Sequence, residues 1–262
     1  MFLPTTIKEV RERGWDQLDV ILFSGDAYID HPAFGAAVVG RLLEAEGYRV
    51  AIVPQPNWRD DLRDFTKLGV PRLFFGVSGG AMDSMVNHYT ANLRLRHDDA
   101  YTPGGKAGFR PDHAVTVYSQ ILKRLYPHVP VVVGGIEASL RRLTHYDYWS
   151  DALKPSVLAD SGADLLIYGM GERVVQEVAR AMRNGYNAKL LRKIRQVAFL
   201  SDESYVSRLD PATTIRLNSY EECVRDKAAF GENFTVIETQ SNLMNPEATL
   251  VEAVGGRCVV VT

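Results

Sequence analysis

At 262 residues, 46% apolar and 24% charged, the chain has the size and make-up of one large globular domain, or of a domain with an appendage. A net charge of −2 supplies no basic field for nucleic acid. The longest apolar runs, such as residues 129–133, are far too short to cross a bilayer, and the opening Met-Phe-Leu-Pro-Thr-Thr lacks the basic and apolar regions of a signal peptide. A cytoplasmic location is expected.

In chain order, Thr6 caps a short helix (IKEVRER). Residues 19–23 (DVILF) read as a strand that leaves through Ser24-Gly25-Asp26. A helix follows over 33–47, with Pro32 before it and Gly47 ending it. Residues 49–53 are the next strand, 60–68 a helix closed by Gly69, and 72–77 (RLFFGV) a third strand running into Ser78-Gly79-Gly80. A helix is predicted around 83–89. Residues 90–110 lack periodicity and contain Pro103-Gly104-Gly105 and Gly108, which predicts a long exposed loop of the kind that often carries function. A helix over 112–126 leads to a fourth strand at 129–133, followed by Gly134-Gly135. A helical stretch at 150–160 precedes a fifth strand at 164–168, which leaves through Gly169-Met170-Gly171-Glu172 into a helix ending near Asn184-Gly185.

Apolar strands alternating with amphipathic helices mean a mostly parallel sheet covered on both faces. Right-handed crossovers wind such a chain into an open α/β sheet of Rossmann or flavodoxin type. Beyond residue 189 the rhythm weakens: 196–200 reads as a strand, 219–230 as a charged helix, and 234–239 and 257–262 as strands of a small extension. The expected division is therefore 1–188, a Rossmann-like domain, and 189–262, an extension. The sequence stops within its last apolar run, which reads as a fragment of a longer protein.

Open parallel sheets bind ligands at the carboxyl ends of their strands. Four exits here are small or polar: Ser24-Gly25-Asp26, Ser78-Gly79-Gly80, Gly134-Gly135-Ile136-Glu137 and Gly169-Met170-Gly171-Glu172. Glycine allows sharp turns and close ligand approach, and sheets of this type need it at such turns regardless. One exit alone would mean little; four converging exits predict a shared ligand crevice or domain interface. Gly169-Met170-Gly171-Glu172 imitates a dinucleotide fingerprint but lacks the third glycine and follows the wrong strand. Gly104-Gly105-Lys106 lacks the spacing and hydroxyl of a Walker A loop.

His31, in Asp30-His31-Pro32, is placed to cap the following helix, to meet a metal or cobalamin, or to act as an acid or base. A structural or interface role is favoured, because no second ligand stands at metal spacing. The densest chemistry lies in Gly134–Trp149, GGIEASLRRLTHYDYW. Glu137 and Arg141 are spaced to share a helix face. Arg141 and Arg142 together suit a carboxylate or phosphate, and His145 and Asp147 add ionisable groups beside aromatic rings. A salt-bridged helix start with ordinary aromatic packing is the competing account. The two cysteines, Cys223 and Cys258, are far apart in sequence and form no close-spaced metal motif; free buried thiols are expected.

VGGIEASLRRLTHYDYWSD, together with GDAYIDHPAFG, YGMGE, FLPTT and QPNW, resembles the amino-terminal part of the YgiQ-like radical SAM proteins. The resemblance runs along essentially the whole chain. It implies a domain similar to the cobalamin-binding Rossmann domains that precede radical SAM barrels. It also implies a Cys-x3-Cys-x2-Cys motif downstream, in a TIM-like barrel, where three thiolates hold a [4Fe–4S] cluster that binds S-adenosylmethionine. This chain contains no such motif, so no catalytic residue and no cofactor is assigned to it. The cluster and S-adenosylmethionine belong to the intact protein, and the barrel of the same polypeptide is the expected partner.

The leading expectation is thus an accessory, substrate-binding domain of a radical SAM enzyme. The alternative is a stand-alone module holding cobalamin or another small ligand at the strand ends, though the Asp-x-His-x-x-Gly pattern of base-off cobalamin proteins is absent because residue 29 is Ile. A nucleotide-dependent Rossmann enzyme ranks third, for want of the fingerprint.

Overall fold

The computed structural model describes residues 2–185, 191–244 and 247–262. Strands β1 (Val20–Ser24), β2 (Val50–Pro54), β3 (Phe74–Ser78) and β4 (Val131–Gly134) are followed by a small hairpin, β5 (His145–Asp147) and β6 (Ala152–Lys154). Then come β7 (Leu165–Ile167), β8 (Val197–Ser201), β9 (Thr214–Arg216), β10 (Thr249–Val254) and β11 (Arg257–Val261). Apart from the hairpin they make one sheet of nine strands, in the order β2-β1-β3-β4-β7-β8-β11-β10-β9.

The first five strands of that order are parallel, in the flavodoxin-like arrangement of a doubly wound sheet. Their sequences are nearly unbroken apolar runs because both faces are covered. Alternate side chains feed two cores. Phe23 and Phe75 face one side, where they meet Phe65 and Tyr118; Leu22 and Phe74 face the other, with Ile52 and Val178. Phe23 stacks on Phe65 with ring centroids 5.2 Å apart.

The helices sort by face. Helix α1 (Ile7–Glu12) starts from a capping box in which Thr6 and Glu9 bond each other's backbone. Helices α2 (Gly35–Ala45) and α8 (Glu172–Arg183) cover the Leu22 side. Between them in sequence, α3 (Arg63–Thr66), α5 (Ala114–Leu125) and α7 (Val157–Ser161) cover the Phe23 side. Two short helices, α4 (Ser84–His88) and α6 (Gly135–Leu140), begin at the exits of β3 and β4.

The α/β alternation follows the sequence reading to α8, with two shortfalls. The helix expected over 60–68 is reduced to α3, and the one over 150–160 to α7, because His145–Asp147 and Ala152–Lys154 pair as a hairpin. The helix expected over 219–230 breaks at Asp226, which ends Tyr220–Arg225 and caps the next helix. That next helix, Lys227–Ser241, contains residues 234–239, expected as a strand. Phe, Thr, Val and Ile favour strands only where a pleated neighbour receives them. Here buried Asn233 fixes the helical register instead, since its amide exchanges two 2.8 Å bonds with the backbone of Asn218. The strand at Thr249–Val254 was not expected; Gly255 and Gly256, both at positive φ, turn it back into β11. The domain boundary expected at 188/189 lies outside the described residues.

Glu252, on β10, is almost fully buried and accepts the Thr144 N–H at 2.8 Å. Its other oxygen has no hydrogen-bond partner among the described residues, and burial pushes its carboxyl up to about 7 from an ordinary 4.5. The folded chain therefore holds a proton that the unfolded chain releases between those values. The contribution to stability is present below pH 4.5 and is lost as pH rises through 7. Glu252→Gln should flatten this decline and be more stable than the wild type at pH 8, by up to about 3 kcal/mol. Urea unfolding at pH 5 and pH 8 measures it; equal pH dependence in both proteins would sink the assignment.

Candidate functional site

In a parallel sheet, the carboxyl edge leaves loop and helix-start N–H groups without ladder partners. Here buried carboxylates take them. Asp26, beyond β1, accepts Ala81 N–H at 2.6 Å. Asp83 caps α4 through Met85 and Val86 N–H. Glu137, on α6, accepts Ser84 N–H at 3.0 Å, Ser84 O–H at 2.6 Å and Val115 N–H at 2.8 Å, so one carboxylate fastens the starts of α4 and α5. The turn between β3 and α4 fits only without side chains. A Cβ on Gly79 would lie 2.3 Å from Glu137 Oε2, and one on Gly80, at φ +113°, would lie 2.2 Å from Asp26 Oδ1.

Two arginines neutralise these acids. Arg110 is buried, bonding Asp26 at 2.8 Å, Asp99 at 3.2 Å and the Gly79 carbonyl at 2.9 Å. Burial pushes the Asp26 carboxyl up, against the opposing pull of the Ala81 N–H and Arg110. The loop over 90–110, expected to be exposed, is thus tied in at Asp99 and Arg110. Arg141 pairs with Asp83 and also donates to the Glu137 carbonyl at 3.3 Å. The expected contact between the Glu137 carboxylate and Arg141 gives way to these partners, although both lie on or at the end of α6.

The exits of β3, β4 and β7 converge on a crevice of about 360 Å³, roofed by α2 and α8. It opens where the helix after β1 turns to one face and the chain after β3 to the other, the switch point of such sheets. Ser78, Gly80, Gly134, Gly135, Gly169, Gly171 and Glu172 line its mouth, above an apolar floor that includes Phe74 and Val132. Gly79 and Asp26 stand behind that mouth in the arginine network. The rest of the singled-out residues lie elsewhere. Arg142 donates to Ser139 O at 2.7 Å and covers the Tyr168 ring, so the two neighbouring arginines go to different partners. His145 is half-buried on β5, and burial lowers its imidazole to about 4. Asp147 is buried and binds Ser150. His31 is exposed and accepts Ala33 N–H at 3.1 Å within the turn before α2; it does not cap that helix, whose N-cap, Phe34, has no side-chain cap bond.

Arg110, Asp99, Asp83 and Ser84 were missed in the sequence. Only the length of the loop over 90–110 signalled the first two, and the Asp-Ser start of α4 the others.

A family model described as radical SAM N-terminal matches residues 2–262. The chain belongs to that family. UPF0313 proteins of Porphyromonas gingivalis and Geobacter sulfurreducens are 61% and 50% identical to it, over 99% and 92% of its length. The radical SAM N-terminal chain spans 41% and 39% of those two relatives, so it corresponds to their amino-terminal part, as the YgiQ-like resemblance implied. Among solved structures, the radical SAM methyltransferase TsrM of Kitasatospora setae, with cobalamin and a [4Fe-4S] cluster bound, aligns with 69% of this chain and 26% of its own, at 20% identity and a TM-score of 0.44.

The side chains here do not fit an iron–sulfur cluster. Both cysteines are buried and stand on separate elements, Cys223 in the helix Tyr220–Arg225 and Cys258 on β11, where the cluster needs three thiolates together. The crevice lining holds no imidazole or thiol among the described residues, so a cobalamin taking an axial ligand from the protein does not fit it either.

Arg110→Met should leave Asp26 and Asp99 buried without their cation. A loss of about 3–5 kcal/mol is expected on urea unfolding, with faster amide exchange across 98–110. Unchanged stability would mean that the guanidinium is dispensable.

Proposed function

We propose that this chain is the accessory domain of a radical SAM iron–sulfur enzyme, holding a small ligand in its carboxyl-edge crevice while the rest of the polypeptide packs over the mouth. The crevice carries this reading: a built hollow at the switch point, with glycines and Glu172 at its mouth and an apolar floor. Its rim supports the packing. Ile136 and Leu140 of α6 are exposed, and Met170 is 78% exposed, on the same side as the exits. Apolar side chains grouped at such an edge suit an interface. The cluster and S-adenosylmethionine belong, on this reading, to the part of the polypeptide that the relatives have beyond this length. A reducing, cytoplasmic setting goes with two free thiols, and no described helix is long and apolar enough to cross a membrane.

Reconstituted alone with iron and sulfide, the 262-residue chain should stay colourless and release no 5′-deoxyadenosine from S-adenosylmethionine. The full-length protein should take on the colour of the cluster and release 5′-deoxyadenosine. A stable cluster on the chain alone would overturn the division of labour.

Leu140→Asp should leave the melting temperature of this chain nearly unchanged, as exposed substitutions do. In the full-length protein it should open the junction to limited proteolysis. Equal protection in both proteins would place the packing surface elsewhere.

A further inference from the structure

A second hollow, of about 320 Å³, lies apart from the crevice, between α4, the start of α5 and the β5–β6 hairpin. It is lined by Tyr89, Asp112, His113, Asp147, Trp149 and Lys154, among others, and shares no lining residue with the crevice. Among the described residues, two polar atoms there have no hydrogen-bond partner. Asp147 is 3% exposed; its Oδ2 accepts from the Ser150 N–H and O–H, but its Oδ1 accepts nothing. The nearest cationic candidate is His113 Nε2, at 4.0 Å, beyond hydrogen-bond reach. The Trp149 Nε1–H is likewise buried and unused.

A buried carboxylate oxygen left unpaired costs roughly 1–3 kcal/mol or more, so folded chains rarely keep one without a use. Burial works against the charge on Asp147, yet the Ser150 donors, with His113 and Arg141 nearby, hold its carboxyl below the ordinary range. It is therefore anionic at neutral pH. Beside it, Tyr89 and Trp149 stand with ring centroids 6.4 Å apart, and Asp112 accepts the Tyr89 O–H at 2.9 Å. His113 occupies the left-handed region at φ +50°, a strained conformation for a side-chain-bearing residue and one that clusters at ligand sites.

We propose that this hollow is a second binding site, for a ligand presenting a cationic nitrogen, an alkylammonium or a guanidinium, to Asp147 Oδ1 and the faces of Tyr89 and Trp149. An anionic acceptor beside aromatic rings suits an organic cation. A metal ion is a poorer match, since no group of three His, Cys, Asp or Glu side chains among the described residues is placed to hold one. Lys154, on the lining, opposes a cation and sets its affinity. The nitrogen can come from a free amine or from a Lys or Arg side chain elsewhere in the polypeptide. The proposal stands independently of the radical SAM reading.

The chain has three tryptophans, so the Trp149 indole N–H can be assigned by Trp149→Phe and followed by NMR. Titration with n-butylguanidine should move that resonance saturably and leave those of Trp15 and Trp58 in place. The isosteric neutral n-butylurea should not move it. Asp147→Asn keeps an oxygen for Ser150 and should weaken binding by about ten-fold or more, whereas Lys154→Met should tighten it. In the full-length protein a free-ligand site responds in the same way. A site filled by the protein's own side chain shows the indole already at its bound position, with the 262-residue chain still binding n-butylguanidine. No saturable shift, or equal responses to the guanidine and the urea, would overturn the proposal even if Asp147→Asn failed to fold.

Discussion

The Arg110 guanidinium is wholly buried where three chain segments meet. Asp26 comes from the exit of β1, Gly79 from the exit of β3, and Asp99 from the long loop over 90–110. A dry guanidinium tolerates few arrangements: each N–H needs an acceptor, and the charge needs an anion held in place. Two carboxylates and one carbonyl meet most of that need, and Nε has no partner among the described residues. The loop cannot lift without exposing these charges to one another unpaired. Its position, and with it one wall of the carboxyl edge, follows from that constraint.

The same logic repeats along the edge. Asp83 caps α4 and is neutralised by Arg141; Glu137 gathers N–H groups from α4 and α5. Carboxylates here do the work that ladder hydrogen bonds do inside the sheet. Glycine completes the arrangement, because the Gly79-Gly80 turn passes within contact of two of those carboxylates. A mouth built from backbone and small residues results, with the charges turned inward and the apolar rim turned outward.

Much of this was legible from local pattern. Unbroken apolar strands, periodic helices and glycine at strand ends define a doubly wound sheet without knowledge of any contact. What escaped depended on partners distant in sequence. Arg110 bonds Asp26 across 84 positions, and nothing in a loop of mixed polar residues marks which arginine will be buried. Residues 234–239 have strand-like composition, yet Asn233 and Asn218 hold them in a helix. Arg141 and Arg142 read as a clamp because they are adjacent. At the end of a helix, however, adjacent side chains diverge, one to Asp83 and the other to Tyr168.

That divergence decides how the densest motif of the sequence is used. Residues 134–149 do not form one site. Their first part, Gly134 to Glu137, shapes the crevice mouth and its support; Arg141 is consumed in the wall; Asp147 and Trp149 face the second hollow. Buried Glu137, Ser84, Asp83 and Arg141 stand between the two hollows as a hydrogen-bonded partition. A wall in which nearly every polar group is paired resists deformation, because each shift breaks a bond that water cannot replace. On its far side, Asp147 Oδ1 and Trp149 Nε1 are left without hydrogen-bond partners among the described residues. On the proposed reading, the cationic nitrogen of a ligand supplies the partner of Asp147 Oδ1.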